Sequence, residues 1–118
     1  ELAAGLGHTF YDNETDYEIV YFDKEIQHDF ASWVSGNSME PLYPNGSVAL
    51  MKQTGFDYDG AVYALIWNGK TYIKKVYREA EGLRLESINP DYDDLFAPYE
   101  DEPKIVGIVV GHFLPLEV

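Results

Sequence analysis

The chain contains no cysteine, which excludes a disulfide framework, a thiolate metal site and a cysteine nucleophile, and removes any redox clue to compartment. Basic residues are scarce too: 8 lysines and arginines stand against 21 acids, for a formal charge of −13. So negative a surface repels nucleic acid and anionic membrane, and any action on DNA must belong to another part of the protein. No uncharged apolar run approaches the roughly 20 residues that span a bilayer, and no charged-then-apolar leader opens the chain. A soluble, cytoplasmic protein is the expectation. Internal repeats, low-complexity stretches, metal-ligand spacings and phosphate-cradling glycine loops are missing as well, so no metal or other cofactor is expected. The triplets Asn13-Glu14-Thr15 and Asn45-Gly46-Ser47 match a glycosylation acceptor but read as turn chemistry.

What is present suits one β-rich domain. The 118 residues, 46% apolar and 15% aromatic, can bury a single core. Residues 1–16 divide into a small-residue segment, Glu1 to Gly7, and an acidic stretch from Tyr11 to Asp16, together suited to an exposed, movable linker. Residues 17–118 form the domain proper. Within it Tyr17–Phe22, Phe30–Val34, Val48–Met51 and Leu83–Ile88 read as short strands rich in β-branched or aromatic residues. Asn68-Gly69 between Ala61–Trp67 and Lys70–Tyr77 predicts a two-residue hairpin, because a type I′ turn needs positive φ at both central positions. Ile105–Phe113 reads as a buried strand with bulges at Gly107 or Gly111. No stretch holds a helical period over three turns, so the fold class is mostly β, with antiparallel sheets that curl to limit their edges.

Candidate chemistry centres on Ser35-Gly36-Asn37-Ser38-Met39-Glu40-Pro41, a turn whose small residues would let the Ser38 hydroxyl stand clear. Turn-bonding by Asn37 and Ser38 accounts for the same residues. A serine nucleophile needs a base. His8, His28 and His112 are candidates, yet the sequence places none of them with both Ser38 and an orienting carboxylate. Lys74 and Lys75 lie inside an apolar strand where alternation sends one to each face. Burial would lower the pKa of an inward lysine and make it a base, whereas two lysines on an edge strand would simply guard it against aggregation. Periodicity leaves the choice open: Tyr72 and Val76 share a face with Lys74, and Ile73 and Tyr77 share one with Lys75.

Taken together, these residues resemble the catalytic domain of the LexA, phage CI and UmuD family of self-cleaving proteins, a LexA/signal-peptidase-like β fold. Val34-Ser35-Gly36-Asn37-Ser38-Met39 is similar to that family's nucleophile segment, and Thr71-Tyr72-Ile73-Lys74-Lys75-Val76 to its lysine strand, with Lys74 the matching residue. Asn45-Gly46-Ser47 resembles a family turn, with asparagine and serine in place of two acids. Further similarity runs through Leu85–Tyr92 and Ile105–Val110, and Ala3-Ala4-Gly5 resembles the Ala-Gly bond that these proteins cut in themselves. The resemblance implies a Ser38–Lys74 dyad, an oxyanion site at the backbone N–H groups of Asn37 and Ser38, and a scissile bond between Ala4 and Gly5. It also implies a homodimer, induction by an activated RecA filament, and operator binding through a preceding helix-turn-helix domain, as in phage- or SOS-type transcriptional repressors. Two other readings share parts of this pattern. Ser38-Met39-Glu40-Pro41 and Tyr72–Val76 also resemble type I signal peptidases, and a non-catalytic dimerisation module would keep the fold without the chemistry.

Overall fold

Short runs of β-branched and aromatic residues broken by Gly, Pro and Asn favour strands over helices, and the computed structural model is built almost wholly of them. It describes residues 2–8, 17–22 and 27–115. Nine strands follow one another: β1 (Leu2–His8), β2 (Tyr17–Phe22), β3 (Phe30–Trp33), β4 (Val48–Gln53), β5 (Val62–Trp67), β6 (Lys70–Arg78), β7 (Gly82–Glu86), β8 (Leu95–Pro98) and β9 (Lys104–Phe113). One 3-10 turn, Tyr99–Asp101, is the sole helical element among the described residues. The strands form a single curled sheet in the order β2-β1-β3-β4-β9-β5-β6-β7-β8. Neighbours run antiparallel except β1 and β3, which are parallel with Gly7 beside Ala31.

The expected hairpin joins β5 to β6. Asn68 has φ 53° and Gly69 φ 76°, the sign a type I′ turn demands, and the strands close with Trp67 opposite Lys70. Alternation along β5 then splits the core in two. Tyr63 and Leu65 join Val76, Leu83 and Leu85 on one face, while Ala64 joins Met39, Tyr43, Ala49 and Met51 on the other. A third cluster, Val48 and Leu50 with Ala31 and Phe113, lies behind β4. Covering both faces explains why Val48 to Met51 is a continuous apolar run with no exposed position.

Strand β9 carries the curl. Its register slips between Val109 and Gly111 against β4, and between Ile105 and Gly107 against β5. The extra residues are therefore Val110 and Val106, each one position before the glycine expected to mark a bulge. Gly107 has a separate reason to lack a side chain: a Cβ there would lie 2.6 Å from Phe30 Cζ and 2.9 Å from the Lys52 carbonyl oxygen. Because backbone cannot yield as a side-chain tip can, Gly107→Ala should cost about 1–3 kcal/mol, read as a lower denaturant midpoint.

The segment expected to be a movable linker supplies a strand. Backbone pairing accounts for the difference: β1 pairs with β2 from Leu2↔Phe22 to His8↔Tyr17, and its other edge meets β3. A bulge separates Ala3 from Gly5 in that ladder, leaving Ala4 without an opposite residue. Residues 9–16, the acidic part of the expected linker, lie outside the described residues.

Candidate active site

After Trp33 the chain leaves the sheet and returns to it at Val48. The neck of this excursion is closed by backbone bonds: the Val34 N–H donates to the Ser47 carbonyl (2.9 Å), and the Gly46 N–H donates back to Val34 (2.8 Å). Gly36 sits at φ 85°, where a side chain would be strained, and its N–H donates to Asn45 Oδ1 at 2.8 Å. Asn45 thus supplies an acceptor within the turn. Met39 and Tyr43 are buried and anchor the loop in the second core cluster. The Tyr43 N–H donates to the Met39 carbonyl at 2.8 Å. Ser38, next to the Met39 anchor, is held half-buried.

The segment after β7 fixes the same loop from another side. The Asn89 N–H donates to the Ser38 carbonyl (2.9 Å), and Asn89 Nδ2 donates to the Asn37 carbonyl (3.0 Å). Both carbonyls are therefore occupied, while the N–H groups of Asn37 and Ser38 meet no acceptor among the described residues.

Lys74 reaches Ser38 from β6. Its strand neighbours in alternation, Tyr72 and Val76, pack into the first core cluster, and Lys74 itself is only 7% exposed. Nζ lies 2.6 Å from Ser38 Oγ and 2.9 Å from Ser87 Oγ. Among the described residues it has no carboxylate partner. Burial therefore acts uncompensated and pushes the Lys74 ammonium below its ordinary pKa. Lys75 has the opposite surroundings. Its Nζ lies 3.4 Å from Glu86 Oε1 at the surface, and the hydrogen bond to Glu86, with the field of Tyr77 and Glu86 itself, raises its pKa. Strand alternation left the two lysines equivalent; the residues across the ladder separate them.

A cleft of about 520 Å³ opens beside the pair, with Trp33 and Val34 on one wall and Tyr72, Ile73 and Lys74 on another. Of the histidines, only His112 has a contact that can be described. His112 packs edge-on against Tyr43, ring centroids 4.6 Å apart, and the Ser38 hydroxyl is partnered by Lys74 rather than an imidazole. The side chain of His8 lies outside the described residues. No group of three or more His, Asp or Glu able to hold a metal occurs among the described residues.

The structure thus brings the Ser38 and Lys74 side chains together, while the Ala4–Gly5 bond is placed only by the pairing of β1. With Gly7 beside Ala31 in parallel register, that bond is offset toward the N-terminal end of β3, whereas Ser38 follows its C-terminal end. At about 3.3 Å per residue the bond lies on the order of 15 Å along the strand from the C-terminal end of β3. The sequence reading also passed over Ser87 and Asn89 as contacts of the pair. Nothing local marks them, because their partners are distant in sequence.

Comparison with known proteins shows what the chain is similar to. The model of the Peptidase S24-like family matches residues 1–110. The LexA repressor of Lacticaseibacillus casei is 31% identical over 97% of this chain and 55% of its own length. Repressor protein CI of Enterobacteria phage phi80 is 40% identical over 64% of this chain and 32% of its own. The HTH-type transcriptional regulator PrtR of Pseudomonas aeruginosa is 34% identical over 64% of this chain and 31% of its own. The chain spans about half the length, or less, of these curated relatives.

Proposed function

The chain belongs to the Peptidase S24-like family, and on that premise we propose that it is the self-cleaving serine peptidase part of a LexA- or CI-type transcriptional repressor. One observation carries the reading: a buried lysine amine, free of any described carboxylate, lies 2.6 Å from the hydroxyl of a serine displayed beside a cleft. A charged surface lysine would be useless as a base, and an unassisted serine is a poor nucleophile.

The reaction follows from these groups. Neutral Lys74 takes the Ser38 proton as Oγ bonds to the Ala4 carbonyl carbon. The resulting oxyanion is met by the N–H groups of Asn37 and Ser38, which have no described acceptor. Collapse breaks the Ala4–Gly5 bond, and the amine of Gly5 leaves with the proton from Lys74. Water, deprotonated by Lys74, then hydrolyses the Ala4–Ser38 ester and regenerates the serine. Small residues at Ala4 and Gly5 allow the close backbone approach this requires.

With β1 paired between β2 and β3, cleavage needs this strand to leave β3 and enter the cleft. Residues 1–16 then serve as substrate segment and linker, and 17–118 as the catalytic and dimerising domain. An inducer such as an activated RecA filament would act by favouring the docked arrangement. Operator DNA would be bound by a helix-turn-helix domain, since this half carries a charge of −13, and the whole would work as a cytoplasmic homodimer. No helix among the described residues is long and apolar enough to cross a membrane. Incubating the chain at alkaline pH tests the proposal: mass spectrometry should show a cut between Ala4 and Gly5. A chain that stays intact both there and with activated RecA would favour a non-catalytic dimerisation module.

A further inference from the structure

We infer that Ser87 is a positioning residue for the Ser38–Lys74 pair, its hydroxyl oxygen holding the lysine amine in line with the nucleophile. The inference rests on the peptidase reading above and deepens it. Lys74 has only two polar partners among the described residues, the hydroxyls of Ser38 and Ser87, at 2.6 and 2.9 Å. A lysine side chain has four rotatable bonds, and one hydrogen bond to the very atom it must deprotonate does not fix it. A second acceptor does. Once Lys74 is neutral its nitrogen has two N–H groups and one lone pair. Donating one N–H to Ser87 leaves the lone pair free to face the Ser38 hydroxyl.

Ser87 is suited to this by its place in the fold. It is 9% exposed, so water competes little for its oxygen. Two residues on, Asn89 bonds through its N–H to the Ser38 carbonyl and through its side chain to the Asn37 carbonyl. The segment from Ser87 to Asn89 therefore grips both partners at once, the base through Ser87 and the nucleophile loop through Asn89. Glu86, adjacent in sequence and the last residue of β7, bonds Tyr77 and Lys75 instead, so the arrangement belongs to Ser87 alone.

The test compares wild type, Ser87→Ala and Ser87→Thr by the pH profile of self-cleavage, with thermal melting confirming the fold of each. Ser87→Ala should lower the plateau rate about tenfold, the size of one lost hydrogen bond to a reacting group. Its pH midpoint should also move to lower pH, because the ammonium loses an acceptor that the amine needs less. Ser87→Thr, which keeps the oxygen, should recover most of the rate and the original midpoint. A wild-type plateau and midpoint in Ser87→Ala overturn the inference, as does a folded Ser87→Thr variant that is as slow as the alanine. Should wild type itself not cleave, the peptidase reading fails separately. NMR titration of the Lys74 Cε signals then decides on Ser87: a lower midpoint in Ser87→Ala supports its hold on the amine, and an unchanged one overturns it.

Discussion

Ser38→Ala and Lys74→Ala should each slow self-cleavage between Ala4 and Gly5 by about three orders of magnitude or more, and the double variant should be no slower than either. Groups that act as a unit are not additive: without the amine the hydroxyl is not activated, and without the hydroxyl the amine has nothing to activate. Wild-type cleavage should rise with pH through the folded-state pKa of Lys74, which burial sets below 10.5. Lys74→Arg should stay silent at every accessible pH, since a guanidinium does not give up its proton. Lys75→Ala is the control. Its amine pairs with Glu86 on the surface, so rate and pH profile should persist, with a stability change of about 0–1 kcal/mol. The sign of the stability effect at Lys74 also follows. A lysine whose pKa falls on folding penalises the native state below that folded pKa, and the penalty is relieved as pH climbs from there toward 10.5. Lys74→Met should therefore melt higher than wild type at neutral pH while losing all activity. Rate constants from gels or mass spectra and melting curves read these outcomes; an active Lys74→Ala would move the base elsewhere.

Tyr63→Phe should destabilise the fold by on the order of 3 kcal/mol, a large loss for the removal of one oxygen. Tyr63 is fully buried, and its hydroxyl accepts from the Asp57 N–H and the Tyr58 N–H, both at 2.7 Å, while donating to the Tyr58 carbonyl at 2.9 Å. Phenylalanine keeps the ring and its stacking on Phe56 at 5.5 Å, so packing is conserved and only the hydrogen bonds go. The three backbone groups belong to the exposed residues Asp57 and Tyr58, so each lost hydrogen bond costs the ordinary net value of about 1 kcal/mol. Chemical denaturation should show a lower midpoint with an unchanged slope. Equal midpoints would mean that water fully replaces the phenol.

Much of this was open to reading from local pattern. The β5–β6 hairpin follows from Asn68-Gly69, and the strands at Val48 and Leu83 follow from their β-branched and apolar content, because turn chemistry and burial act over a few residues. Strand β8 was not visible: Leu95-Phe96-Ala97-Pro98 is short, contains proline and follows three aspartates. It exists because β7 offers it an edge, with Leu83 opposite Ala97. The same limit applies at the site. Ser38 is marked by its flanking glycine and methionine, but Lys74 and Lys75 sit on faces of equal hydrophobicity. What distinguishes them is Glu86 across the ladder from one and the loop of Ser38 beside the other, both contacts remote in sequence. Ser87 and Asn89 escaped notice for that reason.

The bulge in β1 bears on what a cut would leave behind. Severing the chain after Ala4 would strip from the sheet only the pairs Leu2↔Phe22 and Ala3↔Tyr21, while Gly5 to His8 would keep their partners Val20 to Tyr17. The strand is parted at the one residue that has no opposite number, so the ladder loses its end and not its middle. Under the proposed cleavage the domain therefore outlives its own reaction as a folded body. The message is carried by detachment: whatever is joined ahead of Ala4 is let go by a module that keeps its shape.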